Sequence, residues 1–158
     1  VSVTFVTTCA SIITWAIYNF ILVPYHIEYL RTISFILVIA SFVQLVEMII
    51  KRFSQALYRT LGIYLPLITV NCAVLGVAVL NSEMFFKPGM NALTSFALSA
   101  LQGFCVGLGY VLVMLFMSGI RERLELCDIP GSFKDAPIAF IIASLMSMAF
   151  MGFSGFRF

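Results

Sequence analysis

Leu61-Gly-Ile-Tyr-Leu-Pro-Leu-Ile-Thr-Val-Asn-Cys-Ala-Val-Leu-Gly-Val-Ala-Val-Leu80 is the stretch on which the reading of this chain turns. It carries no charge and is close to the roughly 20 residues that a membrane-spanning helix needs. Yet Pro66 lies inside it, and Thr69, Asn71 and Cys72 fall near its middle. Proline removes an amide donor and disturbs the carbonyl four residues back. The stretch therefore predicts a spanning helix interrupted at membrane depth, which is tolerated only where protein or a cavity covers the break. Cys72 falls near the bilayer midplane, with Gly76 one turn further on. The start of the second half-helix presents free amides and the positive end of the helix dipole, a setting that favours a thiolate. Interrupted helices with midplane polar groups point to binding sites in membrane proteins. The plainer reading is that a lone membrane cysteine is a small apolar filler. One thiolate also cannot hold a metal centre, since an iron–sulfur cluster takes about four ligands.

Working outward, further apolar runs flank this one, each followed by a short charged patch. They predict helices at about 2–23, 32–50, 92–120 and 136–153, with 61–80 as the third of five. The runs are apolar all round, without the strict alternation of a membrane strand. The fold class is thus an all-α polytopic transmembrane bundle forming a single domain over residues 1–158. Composition agrees: 62% of the 158 residues are hydrophobic and 10% charged, against about 25% charged in an ordinary soluble domain. A soluble globular domain and a disordered chain are excluded. A net charge of +2 is no footprint for nucleic acid. The four cysteines, at 9, 72, 105 and 127, show no CxxC pair and no disulfide-framework spacing.

Loop charges set the orientation. Loops 51–60 and 121–135 carry six basic residues, Lys51, Arg52, Arg59, Arg121, Arg123 and Lys134, while the opposite side carries Arg31, Lys87 and Arg157. The positive-inside rule places the first pair of loops in the cytoplasm and the C-terminus outside. Glu47 is read as a partner for Lys51, four residues on in the favourable order, rather than as an ion-path carboxylate. His26, near Glu28, is read as solvated. The Arg121–Glu125 cluster is read as a solvated helix end with local ion pairs. Small residues recur every four positions at Ser95, Ser99, Gly103 and Gly107, and again at Ala139, Ala143 and Ser147. Such faces let helices approach closely.

Several segments resemble a known family. LPLITVNCAVLGVAVLN (Leu65 to Asn81), IRERLELCDIP (Ile120 to Pro130), APIAFIIASLMSMAFMGFSG (Ala136 to Gly155) and LRTISFILVIASFVQLVEM (Leu30 to Met48) are similar to the A subunit of the Rnf ion-translocating ferredoxin:NAD oxidoreductase. The E subunit of the sodium-translocating NADH:quinone reductase is its relative. The resemblance covers essentially the whole chain, and AVLGVAVLN after the cysteine looks more like the Rnf type.

The resemblance implies six helices in two inverted three-helix repeats. The first and fourth are interrupted, and each brings one cysteine to the midplane. It implies a homologous membrane partner of opposite orientation (the Rnf E type), with the four cysteines of the pair holding one [2Fe–2S] cluster. Electrons would pass through it between flavin and iron–sulfur subunits on opposite sides of the bacterial inner membrane, coupled to Na⁺ or H⁺ movement. Cys72 is then the cluster ligand, and Thr69 and Asn71 are candidate hydrogen-bond donors around its sulfur. Cys9, Cys105 and Cys127 match no ligand segment. The family's first helix is missing, and a start at Val1 without methionine leads to the expectation that a piece lies upstream. No catalytic residue set, phosphate loop or flavin-attachment motif is present. Two readings of other classes stand beside this one. In the first, a secondary transporter binds an ion or solute at the interrupted helix. In the second, the chain is a structural component that anchors redox partners.

Overall fold

The computed structural model describes residues 2–25, 28–61, 63–85, 89 and 91–156, without the side chains of residues 28, 61, 65 and 69. His26, Lys87 and Arg157, used in the sequence reading, lie outside the described residues. Among those described, all regular structure is helical. Helix α1 runs Ser2–Tyr25, with a π-helical turn at Tyr18–Leu22. Helix α2 is Arg31–Phe53 and α3 is Gln55–Leu61. Then come α4, Leu65–Thr69, and α5, Cys72–Met84. Helix α6 is Ala92–Glu125, and α7, Ala136–Met151, ends in a 3₁₀ turn, Gly152–Gly155. Four of these are long and apolar enough to cross a membrane, and the chain is a multi-pass membrane protein.

The chain divides into two units, Val1–Val111 and Leu112–Phe158. In the first, α1 packs on α2 and α5, and α2 on α3, α4 and α5. Its core is Val6, Ala10, Tyr18 and Leu22 from α1, Phe35, Ile39 and Val43 from α2, Ile68 from α4, and Val74 and Ala78 from α5. The α1 and α2 contributions recur every four residues, so each helix offers one ridge.

The small-residue stripe of α6 packs as expected. A Cβ on Gly103 would lie 2.9 Å from the Ser11 Cβ and 3.1 Å from the Thr7 carbonyl oxygen. One on Gly107 would lie 2.7 Å from the Thr4 Cα. The two glycines thus let α1 and α6 touch backbone to backbone. Trp15 meets Phe96 edge-on, with ring centroids 5.2 Å apart, along the same contact.

In the second unit, Ile142 is buried while Ala143 and Ser147 are exposed. The second small-residue stripe is therefore not packed as the first is. The 121–135 segment is less of a loop than the sequence suggests. Helix α6 continues through Glu125, a 3₁₀ turn forms at Gly131–Phe133, and Asp135 enters α7 with φ +68°. At 34 residues, α6 is roughly 50 Å long, well beyond a hydrocarbon core of about 30 Å.

Two expected ion pairings give way to others. Glu47 and Lys51 do not pair: the Lys51 Nζ sits 5.5 Å from the Tyr58 ring centroid instead. The Arg121–Glu125 segment makes no internal salt bridge. The pair that does form among the described residues joins Arg31 of α2 to Glu83 of α5 at 3.5 Å. Both side chains are partly in solvent, so it contributes under about 1 kcal/mol.

Candidate functional site at the interrupted helix

The interruption is real, and its cause lies five residues past the proline. Pro66 falls in the first turn of α4, where a missing amide costs nothing and the fixed φ suits a helix start. The chain leaves helical geometry at Val70 and at Asn71, which has φ −71° and ψ 116°. Asn71 then caps α5, its side-chain oxygen accepting from the Ala73 amide at 3.0 Å. Asparagine is a favoured cap because this oxygen replaces a missing helical partner. The Val74 amide donates to the Asn71 carbonyl at 3.1 Å.

Cys72 is the first residue of α5 and is exposed. Among the described residues its amide has no acceptor. The sulfur therefore sits at a helix N-terminus, beside an unspent N–H and the positive dipole end. On the N-terminal side of the break, the large side chains of Tyr64, Leu67 and Val70 are exposed. Gly76, one turn on and on the same face, has nothing within 4 Å of where a Cβ would be. Asn71 keeps its nitrogen to donate, since its oxygen is spent on the cap. The side chain of Thr69 lies outside the described residues.

The other cysteines are placed differently. All four are free. Cys9 is half-buried in α1, and Cys105 is exposed along the unbroken α6. Cys127 follows α6, its Sγ 3.6 Å from the Arg123 carbonyl oxygen. Among the described residues no three Cys, His, Asp or Glu side chains come together as a metal set.

Similarity to known proteins now bears on this geometry. The family described as "Rnf-Nqr subunit, membrane protein" matches residues 1–157. The chain belongs to the Rnf-Nqr family. It is 55% identical to the A component of the ion-translocating oxidoreductase complex of Azoarcus sp. strain BH72, over 96% of this chain and 75% of that one. The protein of the same name from Escherichia coli O139:H28 is 54% identical over the same shares. That of Syntrophotalea carbinolica is 49% identical over 98% of this chain and 76% of its own. For an Rnf-Nqr chain the useful local fact is that the break falls immediately before a cysteine, and that an asparagine makes it.

That cap gives a test of what holds the break open. Asn71→Ala is expected to destabilise the protein by about 0.5–2 kcal/mol, the usual cost of losing a cap. Asn71→Ser, which keeps an acceptor, is expected to retain most of the stability. Thermal unfolding of the two variants in detergent checks both.

Sequence reasoning missed a second feature of the same half-helix. Asn81, just past the predicted end of the 61–80 span, is fully buried inside α5. Its Nδ2 donates to the Ser11 Oγ of α1 at 2.6 Å and to the Ser99 Oγ of α6 at 3.1 Å. Ser11 Oγ donates in turn to the Ser99 carbonyl at 2.6 Å. The available signal was Ser99, already picked out in the small-residue stripe, and a Ser11 that shares its polarity within an apolar run.

Proposed function

We propose that this chain is the A component of an Rnf-type ion-translocating oxidoreductase complex, and that it passes electrons across the membrane through a [2Fe–2S] cluster shared with a homologous partner. The observation that carries the reading is Cys72: an exposed thiol at the first position of a half-helix that follows a break. The family's relatives are named as subunits of an ion-translocating oxidoreductase complex, which supports a redox role within an assembly.

The donor chemistry fits such a group only as a fraction of its site. An iron–sulfur cluster takes about four sulfur ligands, and this chain brings one outward-facing sulfur at the break. The remaining ligands must come from outside the described residues. The open face at Gly76 and the exposed apolar side chains of Leu67 and Val70 suit close approach of another apolar helix.

When bound, the cluster supplies one-electron transfer. This chain's residues do the rest. Cys72 supplies a thiolate ligand, and the α5 dipole and free amide stabilise its negative charge. The Asn71 nitrogen and the Cys72 N–H are the amide donors at this helix start that could bond cluster sulfur and would raise the potential by favouring the more electron-rich state. The bacterial inner membrane is the expected location, with segments 51–60 and 121–135 cytoplasmic, the C-terminus outside, and ferredoxin, NAD and Na⁺ or H⁺ as the exchanged species.

Iron and acid-labile sulfide assays on the purified complex, paired with a redox titration, test this. Bound iron and sulfide are expected, and replacing Cys72 should lower both together by the content of one [2Fe–2S] cluster. A complex in which that replacement leaves both contents unchanged would refute the cluster and favour a transporter or an anchoring role.

A further inference from the structure

We propose that Asn81 is a positioning residue: clasped between Ser11 and Ser99, its amide fixes the rotation of α5 and so keeps Cys72 aimed out of the bundle. The inference rests on the reading of Cys72 as a cluster ligand. Nine residues separate the two positions in sequence. At about 100° per residue this is roughly half a turn in azimuth. Asn81 is 0% exposed while Cys72 is exposed, so they mark the two opposite faces of one 13-residue helix.

Something must hold that rotation, because α5 starts at a break. Val70 and Asn71 are not helical, so no helical backbone carries torsion from α4 into α5. The apolar inward side chains, Val74, Val77 and Ala78, are small and of similar shape. Apolar burial is non-directional, so such a surface resists rotation weakly. The Arg31–Glu83 pair is partly in solvent and uses two long side chains. Ser82 bonds only within its own helix. Ser95 donates to the Phe85 carbonyl at 3.1 Å, which ties down the far end of α5 without setting its azimuth near Cys72.

The clasp is directional. Both amide hydrogens of Asn81 are used, one on each serine hydroxyl. Both hydroxyl hydrogens are used as well, Ser11 Oγ on the Ser99 carbonyl and Ser99 Oγ on the Ser11 carbonyl at 3.3 Å. The donors therefore balance across three helices. Asn81 Oδ1 has no partner among the described residues, so the two Nδ2 hydrogens make all of the amide's bonds to α1 and α6. Turning α5 by one residue's azimuth takes the amide off both serines and strands polar groups in a dry core, where an unmade hydrogen bond is costly.

The experiment compares Asn81→Leu, close to asparagine in size, with Val77→Ala in the intact complex. Val77 is equally buried on the same inward side of α5 but makes no polar bond there. Both variants are expected to lower thermal stability. Asn81→Leu alone is expected to shift the cluster's EPR line shape and midpoint potential, and to speed its bleaching by chelator several-fold. Unchanged line shape, potential and bleaching in Asn81→Leu would overturn the proposal, as would equal changes in Val77→Ala. If Asn81→Leu does not assemble, Ser99→Ala removes one side of the clasp and is read the same way. A wild-type cluster in a Cys72→Ala complex would remove the ligand reading itself, a result separate from any outcome at Asn81.

Discussion

Cys72→Ala is expected to abolish the EPR signal of the shared [2Fe–2S] cluster in the membrane subunits, while Cys9→Ala, Cys105→Ala and Cys127→Ala each leave it in place. The discrimination follows from where each sulfur sits. Cys72 stands at the N-terminus of α5, where an amide has no acceptor within its own helix. Cys105 is an interior residue of the continuous α6, where the amides are already spent in the helix. Cys9 is likewise in the interior of α1, and Cys127 lies past the end of α6 against its own chain's carbonyl. The loss should be complete rather than graded, because a missing thiolate leaves one iron without its ligand. It should also spare the fold. Cys72 is exposed in this chain, so trimming it to alanine opens no cavity, and cavities are what make truncations costly. Normal helical content and normal assembly of the complex beside a vanished signal is the pattern to look for.

The second large effect is expected at Gly107. A Cβ there would come 2.7 Å from both the Cα and the Cγ2 of Thr4, inside any normal contact. The Cα cannot swing aside as a side chain can, so α1 and α6 must separate. Overpacking by a methylene or two costs about 1–3 kcal/mol, and Gly107→Leu asks for more displacement than that. The same separation would pull Ser11 from Ser99 one ridge further along. Gly109→Leu is the control, since nothing lies within 4 Å of a Cβ at that position. The expected outcome is a markedly lower thermal midpoint, with loss of the monodisperse complex on size exclusion, for Gly107→Leu and little change for Gly109→Leu.

How much of this was visible beforehand depends on the kind of signal. The spans were legible because twenty apolar residues in a row have few other uses, and the observed helices differ mainly by overrunning their predicted ends. Helix α6 overran most, since Arg121, Glu122, Arg123 and Glu125 are good helix formers once outside lipid. The break was placed correctly near Cys72 but for the wrong reason. Pro66 drew attention as the strongest breaker, yet a proline in a first turn is compatible with a helix. Asn71, an equally clear cap, is the residue that acts. The Ser95–Gly107 stripe could be read because four-residue spacing survives in any helix, but its partner could not. Thr4, Thr7, Thr8 and Ser11 look ordinary in an apolar run until the glycines bring them close. Asn81 escaped because it stands one residue past the apolar run that predicted the span, and asparagine commonly marks a turn. Only the neighbouring helices show that it is in the core, bonded to two serines.

The surroundings of one sulfur decide between an electron carrier and an inert bundle, and a cryo-EM map of the whole complex shows them directly. The expected result is iron bonded to the Cys72 Sγ, with a further ligand arriving from a second polypeptide on the face that carries Gly76. A map in which that sulfur touches only lipid or apolar side chains, with iron density elsewhere or nowhere in the membrane, would contradict it.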